Sequence, residues 1–258
     1  MPWTFAHPAA VLPLRPWCPH RLSFGALVVG SISPDIGYYV GWFDLATAAH
    51  TLLGLLTICL PSGLALTALV RVLHRPVAGL LPYRHRQAIL SLPPMPLLKS
   101  PITAWTIGIS VLIGAVSHVA WDSFTHGTGY LVSKWPALRM PVLVLFTRPI
   151  PVFDLLQHAS SVVGASIVLV AYVRWLRSVG RGTAAASYAG DRWRYSLLSA
   201  LAVTALVVAM PVAYFESSRL ARVNVALFVV RYVMSFTTVF AVLVTTAGLL
   251  LARRIREA

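Results

Sequence analysis

Five stretches of this chain are so long and so apolar that a bilayer, not a protein interior, is the natural place to put them. The pattern predicts helices over 48–73, 102–127, 152–178, 194–216 and 223–256. Each matches or exceeds the roughly 20 residues a helix needs to cross the hydrocarbon layer. Only 11% of the 258 residues are charged while 58% are hydrophobic, and the mean hydropathy is +0.77, which argues against a soluble core. The expected class is therefore all-α: a polytopic helical membrane protein. The chain reads as one integral membrane domain, 1–258, with a site-bearing part over 1–175 and two further transmembrane helices over 194–256. Residues 74–101 form a proline-rich connection, and 178–193 a linker of small residues.

The first 47 residues fit none of these spans. "RLSFGALVVGSIS" is apolar, but Pro34 and Asp35 stop it after about twelve helical residues, or roughly 18 Å. A short helix over 5–14 precedes it, and Arg15 and Arg21 bracket the turn. We expect an embedded helical hairpin over 5–35 whose two ends return to the outer half of the membrane, which places His7 and Asp35 at similar depth. An ordinary span over 22–43 would strand His7 on the other side. The start "MPWTFAHPAAVLPLRPWCPHR" has five prolines and no basic opening, so no cleavable leader is expected. Cys18 and Cys59 are too few for a disulfide or zinc framework.

Lys and Arg set the expected orientation. Loop 71–101 holds Arg71, Arg75, Arg84, Arg86 and Lys99; loop 174–194 holds Arg174, Arg177, Arg181, Arg192 and Arg194; the tail adds Arg253, Arg254 and Arg256. The opposite side has Lys134, Arg139, Arg148, Arg219 and Arg222. The richer side is cytoplasmic by the positive-inside rule, which puts the C-terminus in the cytoplasm of a multi-pass plasma-membrane protein. The net charge of +14 then reflects anionic lipid on that side. No nucleic-acid partner is expected, because no basic motif carries interleaved aromatics.

With that orientation the polar residues gather at the outer ends of the helices. "SHVAWDSFTH" spaces His118, Asp122 and His126 four residues apart, towards one face of a helix. His50 opens one helix, and Asp154 with His158 opens another. His7 and Asp35 join them through the hairpin. Ionisable groups at membrane depth cost several kcal/mol unless paired or ligated. Carboxylates mixed with neutral imidazoles suit a divalent cation, zinc first among them. The candidate metal ligands are His7, Asp35, His50, His118, Asp122, His126, Asp154 and His158, with His118, Asp122 and His126 in the catalytic role.

"PWTFAHPAAVLPL", "GSISPD", "HTLLGL", "GAVSHVAWDSFTH" and "LQHASSVVG" resemble a bacterial family of uncharacterised multi-pass membrane proteins, a domain of unknown function. The likeness covers most of residues 1–175. The order His7, Asp35, His50, His118-x-x-x-Asp122, His126 is more distantly similar to inner-membrane metal-dependent hydrolases and to the zinc-dependent phospholipase C and single-strand nuclease group. That resemblance implies that Asp35, His50, His118 and Asp122 hold one metal, that His7 shares Asp122 with another, and that His126 begins a third site. The chain departs from that group twice. Its Asp154-x-x-x-His158 reverses the group's His-x-x-x-Glu, and Trp3 lies behind Met1 and Pro2 where the group has an N-terminal Trp. One or two ions are therefore expected, not three.

The leading expectation is a metal-dependent hydrolase acting on a phosphoester or lipid headgroup at the outer leaflet, with water activated for attack on phosphorus. Arg139, Arg148, Arg219, Arg222 and Arg231 could hold an anionic headgroup; Arg231, inside an apolar run, most needs such a partner. Two alternatives remain. A prenyl diphosphate lyase or cyclase would use magnesium, which prefers oxygen ligands to histidine. A non-enzymatic metal-binding protein or carrier would more usually show inverted halves and a midplane site.

Overall fold

The computed structural model describes residues 3–18, 20–93, 100–145, 148–179, 188–218 and 225–257. The charges counted at Lys99, Arg181, Arg219 and Arg222 lie outside the described residues, as do 94–99 and 180–187 of the two connections. The chain is a polytopic all-α protein. Among the described residues five helical segments are long and apolar enough to cross a membrane: Leu52–Leu80, Pro101–Lys134, Val152–Ser178, Asp191–Phe215 and Phe228–Arg254.

Two compact units make up the fold. The first comprises Met1–Gly37, Phe43–Ala68 and Met95–Arg174, and it opens with the hairpin. Its outgoing arm is a 3-10 turn Thr4–Ala6, a single α turn α1 (Pro8–Val11) and a 3-10 segment Leu12–Trp17. The continuous helix expected over 5–14 is thus broken. Pro13 and Pro16 lack the N–H that would continue an α-helical ladder. The return arm is α2 (Phe24–Ile32), begun by Ser23, whose side chain accepts from the Ala26 N–H. It ends in a 3-10 turn, Ser33–Asp35, built on Pro34. The Thr4 hydroxyl donates to Asp35, so the hairpin's two ends meet.

Short helices α3 (Ile36–Tyr39), α4 (Phe43–Ala49) and α5 (Leu52–Gly54) then lead into a π-helical turn, Leu55–Cys59, and α6 (Leu60–Leu80). Helix α6 carries Pro76 inside it and overruns the expected end at residue 73, taking His74 and Arg75 out of the connection. A further helix, α7 (Tyr83–Leu90), succeeds it. Next comes α8 (Pro101–Thr125), capped by the Ser100 side chain, which accepts from the Thr103 N–H. Beyond it lie α9 (Tyr130–Lys134) and an antiparallel pair, β1 (Pro141–Leu145) with β2 (Arg148–Pro151). These strands were not anticipated; Pro149 and Pro151 suit so short a ribbon. The unit closes with most of α10 (Val152–Ser178).

Packing in this unit turns on the contact between α2 and α8. A Cβ added to Gly30 would sit 2.2 Å from the Val111 carbonyl oxygen, and one on Gly114 would sit 2.3 Å from the Leu27 carbonyl oxygen and 2.6 Å from the Ser31 nitrogen. Backbones approach this closely only where side chains are missing. Around the crossing, Ala26, Ile107 and Val111 are buried together, and Val11, Leu22 and Leu27 pack with Ile109 and Ile113. The Ser23 N–H donates across the same interface to Ser110 Oγ at 2.9 Å.

The second unit comprises Tyr38–Trp42, Leu69–Pro94 and Trp175–Ala258. Here α11 (Tyr188–Ser218) and α12 (Val225–Glu257) pack along each other. Buried Asp191 accepts from the Tyr83 N–H at 2.7 Å and from Arg194 Nη1 at 3.1 Å.

Gly114→Val is expected to destabilise the protein by at least the ~1–3 kcal/mol typical of overpacking. Gly108→Ala on the same helix, whose Cβ would meet only Leu60 Cδ1 at 3.8 Å, is expected to be neutral or stabilising. Thermal unfolding of the detergent-solubilised protein checks both.

Candidate metal centre

The first unit draws four of the predicted ligands into one buried cluster. One ligand atom from each of Asp35, His50, His118 and Asp122 lies within 4.8 Å of all the others. His118 Nε2 is 3.5 Å from Asp35 Oδ1 and 3.3 Å from Asp122 Oδ2. His50 Nε2 is 3.6 Å and 3.3 Å from the same two atoms, and 3.3 Å from His118 Nε2. His118 and Asp35 are fully buried, and Asp122 nearly so.

The backbone fixes which edge of each imidazole faces inward. His118 Nδ1 lies 2.7 Å from the Ser31 carbonyl, and His50 Nδ1 lies 2.7 Å from the Ala46 carbonyl. A carbonyl oxygen only accepts, so both Nδ1 atoms carry protons, and in their neutral form the rings turn Nε2 lone pairs into the cluster. Ser31 reaches His118 because Gly30 and Gly114 let α2 lie against α8. Ala46 reaches His50 because α4 ends in a tight bend: a Cβ on Gly54 would meet the Ala48 carbonyl oxygen at 1.9 Å. The buried Cys59 thiol donates to the Ala49 carbonyl at 3.3 Å and ties the π-helical turn to the same bend.

With both rings neutral, four acceptors face one another in the cluster. Asp35 Oδ1 and both carboxylate oxygens of Asp122 are buried there without a hydrogen-bond partner. Protonating both rings would set two N–H groups head-on at 3.3 Å. Protonating one would leave a net negative charge buried, at a cost of several kcal/mol. A single divalent cation neutralises both carboxylates and meets both lone pairs. Zinc bonds of about 2.0–2.1 Å in a tetrahedron would space ligand atoms by about 3.3 Å, close to the separations among these four side chains. The residues present thus fit a metal ion.

Two more histidines border this cluster. His7 stacks on His118, with ring centroids 3.6 Å apart and planes 18° apart. Its Nε2, buried and without a hydrogen-bond partner among the described residues, points at Asp122 Oδ1 from 3.6 Å. His126 caps the end of α8 in an extended conformation, so it is not on the helical face expected for it. Its Nδ1 is 3.2 Å from the Asp122 carbonyl and 3.6 Å from Asp122 Oδ2.

The other predicted residues lie differently. Asp154 and His158 pair with each other at 3.5 Å on the first turns of α10, with the His158 side chain 73% exposed, and no ion pair joins them to the cluster among the described residues. Arg139 is engaged with backbone, donating from Nε to the Val132 carbonyl at 3.1 Å and from Nη2 to the Gly127 carbonyl at 3.2 Å. It holds the turn just after His126. Arg148 pairs with Leu145 at the closed end of the β-ribbon, and Arg231 lies on α12 in the second unit. Sequence reasoning missed Thr4, whose hydroxyl holds the far oxygen of Asp35, and the two carbonyls that orient the histidines. Carbonyls leave no trace in residue type, and Thr4 is one hydroxyl among many.

A family model described as "Domain of unknown function (DUF4184)" matches residues 1–249. No curated protein and no solved structure matches the chain.

The protein is expected to bind a divalent cation that His118→Ala or Asp122→Ala removes, while Asp154→Ala and His158→Ala retain it; elemental analysis after dialysis reads this. Thr4→Val is expected to weaken binding by about 10–100-fold, the usual effect of losing a group that orients a ligand, as measured by competition with a zinc-sensitive dye.

Proposed function

Since the chain belongs to the DUF4184 family, whose matched span contains the whole cluster, we propose that it is a membrane-embedded metal-dependent hydrolase. Zinc is the proposed ion, as one or two atoms, and the substrate class is a phosphoester or lipid headgroup presented at the outer leaflet. The observation that carries this reading is the convergence of two carboxylates and two imidazoles, three of the four residues buried, whose ring Nδ1–H groups point away from the centre. A bound divalent cation would supply Lewis acidity for water and for the phosphoryl oxygens.

The chain's own residues have distinct tasks in this scheme. Asp35, His50, His118 and Asp122 hold the ion, and Thr4 and the Ser31 and Ala46 carbonyls hold the ligands. His7 and Asp122 Oδ1 face each other across a 3.6 Å gap, which is where a second ion would be shared. In hydrolysis the water oxygen bonds to phosphorus, the P–O ester bond breaks, and one proton passes to the departing alcohol oxygen. His126 is partly exposed and sits at the rim, placed to carry that proton. The basic loops support a site facing the extracytoplasmic side of the plasma membrane, with a cytoplasmic C-terminus.

Incubation of the purified protein with phospholipid vesicles in ¹⁸O-water is expected to release a phosphorylated product carrying one solvent oxygen. The His118→Ala, Asp122→Ala double variant should release none. With a prenyl diphosphate supplied in place of the phospholipid, diphosphate released without solvent oxygen would instead identify a lyase or cyclase. Uptake of radioactive zinc into proteoliposomes with no product formed would identify a carrier.

A further inference from the structure

Beside the cluster lies an apolar cavity of about 220 Å³ that the hydrolytic scheme does not use. Its walls come from three elements of the first unit. Ala9 and Ala10 belong to α1, Trp121 to α8, and Val163, Gly164 and Ile167 to α10. His7 lines it too, and the same ring stacks on His118. The cavity therefore ends at the metal centre.

We propose that this cavity is the binding site for one hydrocarbon chain of the substrate lipid, acyl or isoprenyl, and that it fixes the polar head over His7 and Asp122. The proposal rests on the hydrolase reading for the identity of the head but not for the occupancy of the groove. Three observations point to a chain. The lining is methyl, methylene and indole carbon, with His7 and Ser160 as its polar exceptions. The slot is narrow because its walls are small: a Cβ on Gly164 would stand 2.9 Å from both the Cβ and the carbonyl oxygen of Ala6, so α10 rests directly on the N-terminal arm. And Val163, Ile167 and Trp121 are 56%, 46% and 46% exposed, so the groove is open along the apolar flanks of two membrane-crossing helices, where the surrounding medium is itself hydrocarbon.

The volume falls short of the ~300–1,000 Å³ typical of sites that enclose a whole ligand. Part of one chain fits, and the remainder stays in the bilayer. Because lipid is as apolar as the groove, burial alone supplies no preference; close packing against the alanines and Trp121 does. The groove consequently acts on register. It would select a substrate that carries its phosphoester within reach of His7 while its chain lies along α10.

The test uses the full-length protein in nanodiscs that contain phosphatidic acid with a diazirine in the acyl chain, with peptide mapping after illumination. Adducts are expected at Ala9, Val163 and Ile167. Both Val163→Trp and Ala10→Trp, which alter exposed positions, should abolish labelling at Ile167 while leaving metal content unchanged. Competition with unlabelled phosphatidic acid or with farnesyl phosphate identifies the source of the chain, and either one competing supports the proposal. Labelling spread evenly over all spans, labelling unmoved by both variants, or no competition from either lipid overturns it. Groove adducts that persist in a wild-type protein releasing no phosphorylated product from the vesicles would sink the hydrolase reading and leave the groove standing; product release without groove adducts does the reverse.

Discussion

Two imidazole nitrogens that face each other at 3.3 Å between two buried carboxylates impose a condition on the rest of the molecule. When neutral, the two rings spend their N–H groups on the carbonyls of Ser31 and Ala46 and turn only acceptors to the inner face of this centre. Unpaired, such a centre would be among the most costly features a folded chain could hold. Its persistence in the interior makes sense when the compensating charge arrives from outside as a cation. Folding and metal loading are then linked, since an ion that binds only the folded chain adds its binding free energy to stability.

The condition is met by backbone placement more than by side-chain packing. Gly30 and Gly114 bring α2 and α8 into contact, which delivers Ser31 to His118 one helical turn beyond Gly114. The bend at Gly54 and the Cys59 thiol do the same for Ala46 and His50 on the other flank. In lipid there is little hydrophobic force to draw helices together, so closeness between small residues and a few hydrogen bonds must supply it. Ser23 to Ser110 is one such bond, and it lies inside the same crossing. Positions that look featureless in the sequence therefore set the ligand geometry.

Much of this was legible in the residues. The five spans arise from hydropathy, and the meeting of the hairpin's two ends, Thr4 on Asp35, arises from a run that Pro34 cuts too short to cross a bilayer. His118 and Asp122 come from helical spacing, since an i, i+4 pair on α8 shares a face whatever surrounds it. His126 continues that spacing by number but not in space, because the helix ends at Thr125 and turns its neighbour into an extended conformation; helix ends are where periodicity stops being informative. Asp154 and His158 satisfy the same spacing rule on α10, yet they form a solvent-accessible pair of their own. Spacing identifies residues that face one way, and only the tertiary fold says whether that way leads into the cluster. The helical course of residues 74–80 escaped because the proline-rich stretch 74–101 reads as a connection, and the β-ribbon after α9 lies in a stretch for which the sequence predicts no element. Pro76 sits inside α6, and the prolines of 141–151 sit in strands that, among the described residues, pair only with each other.

The break between α5 and α6 shows how local irregularity serves the centre. A π-helical turn over Leu55–Cys59 carries one more residue per hydrogen-bonded loop than an α turn, and such turns recur at functional sites. The added residue rotates the end of the turn, and the Cys59 thiol there lands on the Ala49 carbonyl one residue before His50. An unbroken α-helix would aim Cys59 elsewhere and release the segment that carries His50. That histidine is the ligand least enclosed by its neighbours, with its side chain 20% exposed against 0% for His118. The most accessible ligand of the four is thus held by the Ala46 carbonyl on its outward Nδ1, and the backbone just before it by the Cys59 thiol. Asp35 and His118 are fully buried, while the side chains of His50 and His126 are 20% and 24% exposed. The proposed hydrolysis of a lipid headgroup would use the more exposed side of this centre.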